Sequence, residues 1–411
     1  MNQQAPVQLA IANFGPGSYI MVEGKRESDY FFIVRQGQVR TTRETALTEE
    51  DSNIVLKPGD FFGVIEAMTG HPRIESAIAL TQASMIAVKK GQFGFLIQKN
   101  TPLAIKIIRS FSQKLRYYDH ELAKRTLKTT QQEGDPENLF FIGEYYFKQS
   151  NFKIARYVFS RYLALNPQGM KMKESKERII EMGQAEETPP QPQTGFNRMC
   201  KDGEMLFCEN EPGEELYIIQ TGKIKITKIV NDQEILIAVL NPGDIFGDMA
   251  LLENKPRNAS AIAFGDCQMM AVNKVNFEKV VIQNPALSTK LIELLSERVW
   301  TVYRQLGNLL LEKPVARLYD SLLLQLQKAH VRIERKQAYA FSFGADELVK
   351  MIGMSDAEGK DTIQELLKNK LMSIRNNKIY CEDVEDIDKQ VQYFKKMQVL
   401  EAKRQASKFN R

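Results

Sequence analysis

The chain is poor in the residues that most catalytic and metal chemistry needs. Its 411 residues hold three histidines (His71, His120, His330) and four cysteines (Cys200, Cys208, Cys267, Cys381). The histidines are far apart, and none stands in an HxxxH or HExxH spacing, so neither a zinc site nor a histidine-based triad is expected. No CxxC pair occurs, and four cysteines in so long a chain make no disulfide framework. Reduced thiols and a cytoplasmic address are expected. No run approaches about 18 apolar residues, and Met1-Asn2-Gln3-Gln4 lacks the basic-then-apolar opening of a secretory signal, so no membrane span is expected. A GxSxG elbow is missing. Gly353 to Asp361 imitates a phosphate loop, but five residues separate its glycines where four are needed. Asp361 also stands where Ser or Thr would hold magnesium. The chain therefore reads as neither an enzyme nor a metalloprotein, and a net charge of +5 is too slight to imply nucleic acid.

Hydrophobic residues at 43% and charged residues at 26% are ordinary for a folded chain, and the length suits two or three domains. The chain also repeats itself. Lys57-Pro58-Gly59-Asp60-Phe61-Phe62-Gly63 returns as Asn241-Pro242-Gly243-Asp244-Ile245-Phe246-Gly247, and Pro72-Arg73-Ile74-Glu75-Ser76-Ala77 returns as Pro256-Arg257-Asn258-Ala259-Ser260-Ala261, both 184 residues later. Upstream, Gly37 matches Gly222 at 185, which places a one-residue length change in a loop. Lys223 to Ile229 alternates polar and apolar residues as a strand with one buried face does. Asn231-Asp232 supplies hairpin-turn chemistry before a second strand from Glu234 to Leu240. Short strands between Gly-rich turns indicate a barrel or jelly roll.

Each copy ends in a helical pattern, Pro102 to about Ala123 and Pro285 to about Leu311. In the second, Leu287, Leu291, Leu295, Val299, Val302, Leu306 and Leu309 keep three-or-four spacing. That face packs on its own barrel or forms a seam with a second chain, and a homodimer through helix 285–311 is expected. Leu139, Gly143, Tyr146, Ala155, Phe159 and Pro167 fall at the spacings of a tetratricopeptide-like hairpin. A single such unit must cover its face with a barrel, another chain or a protein partner. Beyond the long helix, Ala345 to Met354 and Ala357 to Leu371 read as helix, glycine turn, helix, with Ser355 and Glu358 as a capping box. Met372 to Cys381 then reads as a hairpin turning at Asn376-Asn377. The fold class is α+β multidomain: first barrel and helix at 1–123, helical spacer at 124–185 and a Pro-rich linker at 186–195. The second barrel and long helix follow at 196–311, then a helix-turn-helix module with a wing at 312–390 and a basic helical tail at 391–411.

Gly243 to Ala261 resembles the phosphate-binding cassette of cyclic nucleotide-binding domains. The part from Pro285 onward looks like the catabolite activator type of transcription regulator, ending in a winged helix-turn-helix. The resemblance implies two β jelly-roll barrels and a regulatory ligand, cAMP or cGMP. In the second barrel it points to Phe246, Gly247, Asp248, Met249, Ala250, Arg257, Asn258, Ala259 and Ser260. Glycine lets backbone approach the ligand, helix-start amides favour anions, and Arg257 can fork onto phosphate oxygens. Asp248 stands nine residues before that arginine, where the family places a glutamate that accepts the ribose hydroxyl. The competing reading is a decayed cassette in which Asp248 caps the helix and pairs with Arg257. The first copy keeps Gly63, Arg73 and Ser76 as a weaker site. Its Val64 and Glu75 oppose a ribose hydroxyl and a diester, and Glu66 is expected to point elsewhere, so that barrel reads as structural or as taking a different ligand. Candidate DNA contacts are Ser355, Lys360, Arg375 and Lys378, with tail residues such as Lys395, Lys396, Lys403, Arg404, Lys408 and Arg411 gripping phosphates. Against them, Asp356, Glu358 and Asp361 oppose a phosphate backbone, and Gly359 is expected to loosen the second helix. The alternative is a protein-interaction scaffold with a degenerate winged helix that does not bind DNA.

Overall fold

The computed structural model describes residues 9–26, 29–43, 47, 53–127, 135, 137–183, 196–230, 233–253 and 255–409. The linker expected at 186–195, the turn at Asn231-Asp232 and the terminal Arg411 lie outside the described residues.

The first repeat runs β1 (Ala10–Phe14), β2 (Tyr19–Met21), β3 (Tyr30–Gln36), β4 (Val39–Thr42), β5 (Ile54–Leu56), β6 (Phe61–Phe62), α1 (Val64–Thr69), β7 (Ser76–Ala79) and β8 (Ala83–Lys89). Its strands form two four-stranded sheets, ordered β1-β8-β3-β6 and β2-β7-β4-β5, with every pairing antiparallel. Val34, Val39, Phe62, Ala77 and Met85 fill the space between them. Two helices follow, α2 (Phe93–Lys99) and α3 (Thr101–Leu127).

The spacer region holds α4 (Glu137–Lys148), α5 (Phe152–Leu165) and α6 (Met172–Glu181). A methyl on Gly143 would stand 2.7 Å from the Phe159 ring, so α4 and α5 touch at the glycine. Leu139, Tyr146, Ala155 and Phe159 share one buried cluster with Met205, Cys208 and Ile262 of the second repeat. The second barrel thus covers the face that this hairpin could not bury alone.

The second repeat runs β9 (Asn197–Cys200), β10 (Met205–Phe207), β11 (Glu215–Val230), β12 (Gln233–Leu240), β13 (Ile245–Phe246), α7 (Asp248–Glu253) and β14 (Ser260–Asn273). Here β11 does the work of β3 and β4, and β14 that of β7 and β8. The sheet runs β10-β14-β11-β12, with β13 also on β11 and β9 also on β14. The repeated glycine marks the bend: Gly37 and Gly222 have φ of +85° and +78°, and a Cβ would lie 2.4 Å from the Gln82 carbonyl and 2.3 Å from that of Asp266. No side chain fits there. The strand β12 is an edge, with Ile235, Leu236 and Ile237 exposed rather than in the core.

The C-terminal part begins with α8 (Lys274–Gln283) and α9 (Pro285–Leu309). It continues through α10 (Pro314–Lys328), β15 (Tyr339–Ala340), α11 (Ala345–Met351), α12 (Asp356–Leu367), β16 (Met372–Arg375), β17 (Lys378–Cys381) and α13 (Val384–Phe409). β15, β17 and β16 form a small sheet, and its hairpin turns at Asn376 and Asn377, both left-handed with φ of 49° and 59°. Leu318, Leu322, Phe341, Leu348, Leu366, Ile379 and Val391 make one core. A Cβ on Gly359 would lie 2.4 Å from Val349, so the glycine is where α11 and α12 cross.

By contacts the chain divides into two units, residues 1–90, 118–126 and 296–411, and residues 91–117 and 127–295. In the first, the cassette loop of the first barrel meets α9. His71 binds Glu297 at 2.8 Å and lies between the Trp300 ring (3.7 Å between centroids) and His330 (5.4 Å), while Tyr303 donates to the Ile74 carbonyl at 3.3 Å. The α9 face expected to join two chains is largely covered within one: Leu291, Leu295, Val299 and Leu306 are buried, Leu295 to 1%. Val302 and Leu309 remain half-buried.

Candidate functional site

β13 ends at Phe246 and α7 begins at Asp248, so Gly247 alone makes the corner, in the left-handed region at φ +75°. Arg257 returns over that corner. Its Nη1 donates to the Gly247 carbonyl at 2.7 Å, and its guanidinium lies 4.1 Å from the Phe207 ring centroid and 5.7 Å from that of Tyr217. Phe207, Tyr217 and Phe246 form a compact aromatic group, with Tyr217 and Phe246 centroids 5.3 Å apart. Burial pushes the Arg257 guanidinium below its ordinary value, partly offset by Tyr217, Glu211 and Asp248. Arg257 is 5% exposed and Asp248 1%.

Most of the other expected residues close around this pair. Met249, Ala250, Ala259 and Ser260 are buried, and Asn258 Nδ2 lies 3.4 Å from Met249 Sδ. The Ser260 hydroxyl accepts from the Glu209 amide at 3.0 Å. The loop before the cassette is tied to Arg257 through its main chain: Asn210 N donates to the Arg257 carbonyl (2.8 Å) and Arg257 N to the Glu211 carbonyl (2.7 Å). Glu211 itself is buried and takes bonds from Tyr157 (3.3 Å) and Arg161 (3.2 Å) of α5. Phe207, Tyr217 and Glu211 were not among the residues singled out from the sequence. The repeat could have flagged Tyr217, since it pairs with Phe246 as Phe32 pairs with Phe62.

The first barrel repeats this geometry closely. Arg73 donates from Nη1 to the Gly63 carbonyl (3.0 Å) and from Nη2 to the Tyr30 carbonyl (2.6 Å), and Ser76 accepts from the Glu23 amide (2.9 Å). One expectation fails here. Glu66 does not point away: its Oε1 accepts from the Ile74 amide at 3.0 Å, and Oε2 lies 3.6 Å from Arg73. In so short a helix the third residue faces the returning strand rather than solvent. Glu75 turns instead to Arg43, at 3.6 Å.

In the C-terminal part the candidate contacts lie at α12 and on the β16–β17 hairpin. Ser355 caps α12, accepting from the Glu358 amide at 3.4 Å. Arg375 stacks 3.7 Å over the Tyr380 ring and pairs with Glu382, whereas Lys360 and Lys378 are exposed. The exposed face of α12 also carries Glu358, Asp361 and Glu365.

Among the described residues no cluster of three or more His, Cys, Asp or Glu could hold a metal, and no helix is long and apolar enough to cross a membrane.

A barrel of this topology with a glycine corner, a helix start and a returning arginine defines a nucleotide-cassette class. The cyclic nucleotide-binding domain model matches residues 11–100 and 197–284, one match in each repeat. The chain is 25% identical over 154 residues to the CRP-like cAMP-activated global transcriptional regulator of Mycobacterium tuberculosis, covering 37% of this chain and 69% of that protein. It is 29% identical over 132 residues to the cyclic AMP receptor protein of Thermus thermophilus, covering 32% of this chain and 61% of that protein, less than two thirds of its length. The crystal structure of the Thermus thermophilus catabolite activator protein aligns with 48% of this chain and 90% of its own length, at 22% identity and a TM-score of 0.28.

Proposed function

We propose that the chain is a cyclic-nucleotide-sensing regulator that binds its ligand in the second barrel through Gly247, Asp248, Arg257 and Ser260. The observation that carries this is the state of Arg257, a desolvated guanidinium whose hydrogen bond goes to a carbonyl and whose face rests on aromatic rings. A buried cation gains most from an anion, and a cyclic phosphodiester at the α7 start supplies one beside helix amides and within reach of Asp248 for a ribose hydroxyl. Entry requires Arg257 to leave Phe207, so binding is coupled to movement of the cassette and of the 208–211 loop bonded to it. The ligand is cAMP or cGMP, and it acts by shifting populations, with no chemistry done on it. The matched Mycobacterium tuberculosis relative is a transcriptional regulator by name, which supports reading the C-terminal part as a winged helix that binds DNA. Its exposed Lys378 and the basic tail suit phosphate contacts. Homodimerisation through helix 285–311 would use the half-buried Leu287, Val302 and Leu309 of α9.

The exposed carboxylates of α12 favour a second reading, an interaction scaffold whose C-terminal part binds protein instead of DNA. Calorimetry with a panel of cyclic mononucleotides and dinucleotides tests the ligand assignment. Saturable binding of one class of mononucleotide is expected, and no heat from any of them would refute it.

A further inference from the structure

The two cassettes differ by a carboxylate moved two places along a helix. In the second barrel Asp248 opens α7 and Ala250 follows two residues on; at the matching places of α1 stand Val64 and Glu66. Both arginines fold back onto the carbonyl of their own corner glycine. They differ in what else they meet. Arg73 has Glu66 at 3.6 Å, with Arg73 4% and Glu66 1% exposed, whereas Arg257 donates to the Gly247 carbonyl and is acted on electrostatically by Glu211, Asp248 and Glu215. Ala250 is nonetheless a neighbour of Arg257: a methyl built on Gly213 would lie 2.5 Å from Ala250 Cβ and 2.6 Å from Arg257 Cζ, so the two side chains border one small space. A carboxylate at 250 would reach Arg257 much as Glu66 reaches Arg73.

We propose that Glu66 determines which barrel takes the nucleotide: its carboxylate holds Arg73 from inside the first cassette and excludes a phosphodiester there, while Ala250 leaves Arg257 to the ligand. This rests on the ligand assignment made above. A diester entering the first barrel meets a buried negative charge already fixed by the Ile74 amide, and must displace it from Arg73. Glu75 adds a second carboxylate, held at the rim by Arg43. Burial raises the Glu66 carboxyl, with Glu75 adding to the rise and Arg73 and the Ile74 amide opposing it.

The test has two arms. Calorimetry with cAMP and cGMP compares wild type with Ala250→Glu and Ala250→Gln. The glutamate should weaken binding at least about tenfold and the glutamine much less, because only the former competes for Arg257. Equal losses, or none, overturn the proposal. The second arm uses no nucleotide: urea midpoints of Arg73→Gln, Glu66→Gln and the double variant. The double variant should unfold at higher urea than Arg73→Gln alone, since it removes the stranded carboxylate. Strictly additive midpoints would show that Glu66 does not hold Arg73. A wild-type chain that binds no cyclic nucleotide refutes the ligand assignment, and the urea arm still decides the Glu66–Arg73 pairing.

Discussion

Arg257 donates to the carbonyl of Gly247 at 2.7 Å, ten residues back along the chain, and a methyl on Gly247 would fall 2.7 Å from the same Nη1. The glycine is thus required twice, by its φ of +75° and by the guanidinium packed against it. Gly247→Ala should cost about 1–2 kcal/mol from the left-handed backbone and displace Arg257 besides. Cyclic-nucleotide affinity should drop more than tenfold by calorimetry, a loss of more than about 1.4 kcal/mol. Unchanged affinity would mean that the corner does not position the arginine.

Glu211 joins the spacer to the cassette, and it carries a pH signature. Burial raises its carboxyl, against lowering by Arg161, Tyr157 and the Cys208 amide. A raised folded value means that the folded chain keeps a proton the unfolded chain releases. The stability of wild type therefore falls as pH climbs from the ordinary carboxylate range through the raised value. Glu211→Gln keeps the shape without the titration. Urea midpoints from about pH 4 to about pH 7 should show the difference in favour of Glu211→Gln growing with pH. A constant difference would contradict the assignment.

Leu295 separates two views of α9. At 1% exposure within one chain, it should behave as a core residue, and Leu295→Asp should destabilise the chain by about 3 kcal/mol or more. Val302→Asp, on the half-buried flank, should cost about 1 kcal/mol. Thermal melts read the first effect and light scattering the mass. If Leu295→Asp leaves the melt untouched and halves the mass, the face joins two chains after all.

Much of the fold was legible. The repeat located both barrels because corner glycines and the returning arginine are local demands that any copy must meet. The glycine turn and the Asn376-Asn377 hairpin were legible for the same reason. Direction was less legible. Periodicity shows that Leu291 and Leu295 have a buried side, but not which surface covers it. Two positions along a helix, Glu66 is expected to point elsewhere, but in the six-residue α1 its carboxylate turns in to the Ile74 amide. Gly359 looked like a weakness because Val349, ten residues away across the turn, cannot be placed from sequence. The stack of Trp300, His71 and His330 joins residues more than 200 positions apart, which no spacing rule reaches.

If the C-terminal part binds DNA, the exposed Lys378 of β17 is better placed for a phosphate than Arg375, which is engaged by Glu382 and Tyr380. Lys378→Ala should weaken binding evenly across sequences and reduce the slope of log K against log salt by about 1. Gel shifts at several salt concentrations measure this. No shift at about 50 mM salt with cyclic nucleotide present would favour the scaffold reading.

The most direct test of the whole account is a calorimetric titration of wild type, Arg257→Ala and Arg73→Ala with the same cyclic nucleotide. The account predicts one site per chain, weakened by roughly 1.5–3 kcal/mol in Arg257→Ala, the scale of a lost charge-assisted contact, and almost unchanged in Arg73→Ala. Two sites per chain, or equal losses in the two variants, would contradict it.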